Sequence, residues 1–169
     1  MTKTLSVCAA AAAALLISAA SASAQVTTLT ATLNGGEETP IVLTGAVATV
    51  VVSVDPTARE LAVELRAFNL PTGTTAGHIH IAPRGIAGPV VIDFPIDRGV
   101  TGDFNQSFRI GAVQFHARPE IGINTLDDAI QAIVAGNSYA NIHTTANPGG
   151  EMRGQLTVPQ RTVVLSQEK

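Results

Sequence analysis

The chain has 169 residues, 10 basic and 13 acidic side chains, four histidines, five Phe, one Tyr, no Trp and one cysteine. A net charge of −3 without a clustered basic face argues against nucleic acid as a partner. With so few aromatics the core must be built from Val, Ile, Leu and Ala, and no run of like charges marks a tail or polyanion site.

Residues 1–24 read as a signal peptide: Lys3 supplies the positive start, residues 7–20 the apolar run, and Ala22-Ser23-Ala24 the cleavage site. The brief Ala-rich leader is of a bacterial kind, and the expected destination is the periplasm or the cell exterior. The apolar run is too short to span a membrane, and no later stretch approaches the roughly 20 apolar residues a span needs. Cys8 lies inside the leader. The mature chain then has no cysteine, and its stability must come from its core rather than disulfides. Residues 25–160 form one domain by the usual size prior, with 161–169 as a fraying tail.

Val26 to Leu33 alternates weakly and reads as a first strand, followed by the turn-rich Asn34-Gly-Gly-Glu-Glu-Thr-Pro40. Gly45 to Val54 is β-branched, and Arg59 to Arg66 alternates apolar and charged side chains, so the two predict a hairpin. Phe68 to Thr75 reads as loop, Gly77 to Ala82 as a strand, Pro83 to Pro89 as a Gly/Pro loop, and Val90 to Phe94 as a short strand. Gln106 to Ile110 is a further strand and Gly111 to Asn124 a loop. Thr125 to Gly136 is the one helix, with Thr125 as N-cap, Asp128 at the capping-box position and Gly136 beyond the C-terminus. Tyr139 to Thr144 alternates as a strand, Asn147-Pro-Gly-Gly150 breaks it, and Met152 to Val158 resumes it. About eight short strands and one helix predict an all-β fold, a β-sandwich or barrel.

Chemistry concentrates on the histidines. His78 and His80 are i and i+2 on a strand, so both leave one face about 6.6 Å apart, while Ile79 and Ile81 face the core. Two imidazoles at that spacing can share a metal, and His143 on another strand is the natural third ligand. Imidazoles without thiolate suit Cu(II), Zn or Ni rather than Ca or Mg. The bland alternative is a pair of histidines on a solvated sheet face. His116 lies in a loop, where a surface role is the ordinary one; it could also close a four-ligand site. Glu37, Glu38, Asp93 and Asp97 read as surface charges. Glu151 and Arg153 share a strand face, either as a surface ion pair or with Arg153 setting a positive potential beside a metal.

Gly77-His-Ile-His80, Gly88-Pro-Val90, Gly136-Asn-Ser-Tyr-Ala-Asn-Ile-His-Thr144 and Asn147-Pro-Gly-Gly-Glu-Met-Arg-Gly-Gln-Leu156, with Leu33-Asn-Gly-Gly-Glu-Glu-Thr-Pro-Ile41 before them, resemble the CHRD (chordin) domain family across roughly residues 27–158. The resemblance implies a single all-β domain and little about activity. The His-x-His, later His and later Arg also resemble Cu/Zn superoxide dismutase, which implies an Ig-like or dismutase-like Greek-key sandwich. By that resemblance His78, His80 and His143 are copper ligands, and Arg153 is the catalytic residue that guides an anion. The dismutase disulfide and zinc subsite have no counterpart here, and Gly150-Glu-Met-Arg153 is one residue longer than the family's spacing.

The expected function is an exported protein binding a metal ion, copper, through its histidines. Two alternatives stand beside it. One is a copper-dependent dismutase-like or oxidative enzyme; the other is a protein-interaction module with structural histidines. No organic cofactor is expected.

Overall fold

The computed structural model describes residues 25–159; the leader and tail expected at 1–24 and 161–169 lie outside them. The strands are β1 (Thr27–Asn34), β2 (Val47–Asp55), β3 (Glu60–Leu70), β4 (Thr74–Ile81), β5 (Val90–Asp93), β6 (Gly102–Ile110), β7 (Ser138–Thr144) and β8 (Met152–Gln155), and the helix α1 is Leu126–Val134. All neighbours pair antiparallel in one eight-stranded sheet ordered β5-β4-β7-β8-β1-β2-β3-β6. The sheet curls nearly into a barrel. Its two ends approach through the Phe94 and Phe108 rings, 5.3 Å apart, and through Asp97 N–H donating to Gln106 Oε1. The fold is all-β, as expected.

The strands form because period-two alternation gives each an apolar face. Leu29, Ala31 and Leu33 of β1, Val50, Val52 and Val54 of β2, and Leu61, Val63 and Leu65 of β3 are buried in one core with Ile79, Ala140, Ile142 and Met152. The β2–β3 hairpin turns on Asp55, whose Oδ1 accepts the Thr57 and Ala58 N–H groups, both at 2.9 Å. Helix α1 carries the expected cap: Thr125 accepts from Asp128 N–H, and Asp128 accepts in return from Thr125 N–H. Its buried Leu126, Ala129, Ile130 and Ile133 face the core.

Several boundaries differ from the sequence reading, and the first is that strand β3 runs on to Leu70, so Phe68 to Leu70 are strand rather than loop. Thr74 and Thr75 belong to β4 rather than to a loop, because Thr74 and Ala76 already pair with β7. Strand β6 begins at Gly102, four residues earlier than expected; it is an end strand with no fully buried residue before Ile110, so apolar alternation is weak there. Strand β8 ends at Gln155, and beyond it Thr157 makes only an isolated bridge to Thr30.

Strand β7 is the element that positions the site. Six of its seven residues are buried, although only one face meets the core. The other face, bearing Tyr139, Asn141 and His143, is covered by the Gly/Pro loop between β4 and β5 and by neighbouring side chains. The loop sits so close that a Cβ on Gly88 would meet Ile81 O at 2.2 Å, so only glycine fits there.

Candidate metal centre

Strand β4 pairs with β7 so that His78 lies opposite Asn141, His80 opposite Tyr139 and Ala76 opposite His143. Side chains on one face of adjacent strands meet directly and diagonally, which brings His78, His80 and His143 into one cluster. One ring nitrogen from each lies within 4.8 Å of the others. His80 is buried, 8 % exposed, while His78 and His143 are half-buried and leave the cluster open on one side.

Hydrogen bonds to carbonyls fix which nitrogens of His80 and His143 are free. His80 Nδ1–H donates to Gly88 O at 2.8 Å, and His143 Nδ1–H donates to Pro148 O at 2.9 Å. A carbonyl accepts only, so each Nε2 carries a lone pair directed into the cluster. His78 turns Nε2 toward Asp93 Oδ1 at 3.7 Å, which leaves Nδ1 facing His143 Nε2 at 2.9 Å. With His143 Nε2 unprotonated, a proton on His78 Nδ1 makes this contact a hydrogen bond, and a metal ion can take that proton's place. A separation of 2.9 Å is also that of two ligands at a right angle on an ion bonded at about 2.0–2.1 Å. The donor set therefore fits a metal ion. Outer hydrogen bonds of this kind orient imidazole ligands and fix their tautomers.

Asn141, 3 % exposed, closes the floor of the cluster. Its Oδ1 stands 3.0 Å from His80 Nε2 and 3.2 Å from His143 Nε2. A half-turn of the carboxamide presents Nδ2 at the same points, the arrangement two lone pairs call for. Burial pushes the His78 imidazole down to about 4, with the neighbouring His143 and His80 adding to the effect. Burial also lowers His80 and His143 below the ordinary histidine value. Neutral imidazoles are the form that binds a metal.

The other residues singled out from sequence lie around this centre. His116 does not join it; its Nε2–H donates to Asp93 Oδ2 at 2.7 Å. Asp93, read from sequence as a surface charge, thus stands between His78 and His116. Arg153 is 4 % exposed, with Nε donating to Glu37 O and its guanidinium over the Tyr139 ring, 4.8 Å from the centroid. It does not pair with Glu151. That carboxylate is fully buried and accepts from Thr144 Oγ1 at 2.8 Å and Asn147 Nδ2 at 2.5 Å. Although burial raises the Glu151 pKa, hydrogen bonds from Thr44, Asn147 and Thr144 leave it below its ordinary value.

Glu38 is not a solvated loop charge. It is buried beside Arg153, 3.6 Å from Nε, and burial raises it to about 7 against the pull of that cation. Glu37 pairs with Arg84. Arg98 lines a cleft of about 170 Å3 with His78 and Asp93. Its one sequence signal was proximity to Asp93.

An antiparallel β-domain bearing a three-imidazole cluster on an outer sheet face defines the class. The CHRD domain family model matches residues 29–156, and the chain belongs to that family. No curated protein and no solved structure matches it.

Proposed function

We propose that this CHRD-domain protein is exported and binds one metal ion, copper, through His78, His80 and His143. The observation that carries the reading is the convergence of three neutral imidazoles whose remaining ring nitrogens face Gly88 O, Pro148 O and Asp93. Three nitrogens without a thiolate suit Cu(II), which stands highest in affinity among the divalent first-row ions. The half-buried His78 and His143 leave room for a further ligand from solvent.

The test is metal analysis and Cu(II) titration of the processed chain, purified without a His-tag, beside the His78→Ala/His143→Ala double variant. Near one equivalent bound by the wild type and lost in the variant is the expected result. Equal weak binding by both would retire the site. Recovery of a chain beginning at Gln25 from the periplasm or medium tests export.

The cleft beside His78 favours one second reading, a copper enzyme acting on a small anion. Arg98 lines that cleft and is exposed, whereas Arg153 is buried. Superoxide turnover that falls in Arg98→Ala while copper binding persists supports this reading; absence of turnover in the copper-loaded wild type removes it.

A further inference from the structure

Tyr139 is the chain's one tyrosine and is 5 % exposed. Its ring stacks on His80 with centroids 4.7 Å apart and planes 8° from parallel. Strands β4 and β8 flank β7 on opposite sides, so the ring is held between His80 of β4 and Arg153 of β8. The Gly88 N–H donates to its hydroxyl at 3.2 Å, and Gly88 O is the acceptor that orients His80. One loop residue thereby fixes both rings.

Arg153 is a permanent cation held by backbone carbonyls: Nε donates to Glu37 O, and Nη1 donates to Ile86 O at 3.4 Å. Its nearest carboxylate is Glu38. Burial holds Glu38 near 7, so around neutral pH the guanidinium is only partly compensated. A fixed positive charge in a buried setting acts at longer range than one in water.

We propose that Tyr139 and Arg153 are positioning residues that bias a copper ion bound through His80 toward its lower oxidation state. This rests on the metal-binding reading above. The cation one aromatic ring behind the ligand disfavours the extra charge of Cu(II), and the stacked ring keeps water from screening it. Arg153 acts through His80 and Tyr139 and does not touch the ion.

The experiment measures Cu(I) and Cu(II) dissociation constants separately, by chelator competition at pH 7, on the processed wild type, Arg153→Met, Tyr139→Phe and Glu38→Gln. Arg153→Met should shift the affinity ratio about tenfold toward Cu(II), a fall in midpoint potential of about 59 mV for one electron. Tyr139→Phe keeps the stack and should stay within about twofold of wild type. Glu38→Gln removes the countercharge and should move the ratio the opposite way, at least about twofold toward Cu(I). Should Arg153→Met fail to fold, Glu38→Gln carries the test alone, and an unchanged or reversed ratio overturns the inference. A wild type that binds neither ion overturns both readings. Binding of both ions with the wild-type ratio in Arg153→Met overturns this one only.

Discussion

His78 and Glu38 respond to pH in opposite directions. Burial holds folded His78 near 4, against 6.5 for an unburied imidazole, so between those values the unfolded chain binds more protons. Its contribution is present above about pH 6.5 and is lost as pH falls toward 4. Glu38 is raised to about 7 from 4.5; the folded state holds the extra proton, and stability is lost as pH rises through that window. In metal-free protein Glu38→Gln should therefore flatten the decline between pH 5 and 8, by on the order of 2 kcal/mol. Denaturant melts at the two pH values check it; parallel melts for wild type and variant would contradict it. Gly150 adds a steric demand, with φ +138 and a Cβ position 2.5 Å from Glu38 Oε1. Gly150→Ala should cost about 1–3 kcal/mol, measured as a lowered denaturation midpoint.

Strands and helix were legible where local chemistry decided them. The His-x-His spacing put two imidazoles on one face before any pairing was known, and Thr125 with Asp128 marked the helix start. Thr125→Ala should cost about 1 kcal/mol by removing that cap, read by thermal melting; a change below about 0.3 kcal/mol would mean tertiary packing alone holds the helix. What remained hidden depends on register between distant strands. Asp93 looks like any surface carboxylate until β5 lies beside β4 and sets it opposite His78. Glu38 and Arg153 are 115 residues apart in number, and no local pattern predicts that the first turn and last strand bury them together. The Tyr139 stack is hidden for the same reason, since it needs β4, β7 and β8 in place at once.

A ligand that binds only the folded state stabilises the whole domain by mass action. Saturating Cu(II) should raise the melting temperature of the wild type, about 2.7 kcal/mol at a hundredfold excess over Kd, while the His78→Ala/His143→Ala variant should not respond. Scanning calorimetry with and without chelator checks this. The pairing of Asn34 with Arg153, and the loop after Asn34 that covers Arg153, also govern how the domain is made. The first described strand finds one of its two neighbours only in β8, the last strand among the described residues, so loop closure over most of the domain precedes that contact. A nascent chain that has not yet yielded β8 leaves β1 with an open edge and Ala140 and Ile142 without Met152 beside them. Assembly is then a late, single event, and truncation after Thr144 should leave a chain without protected amides in hydrogen exchange, whatever metal is supplied.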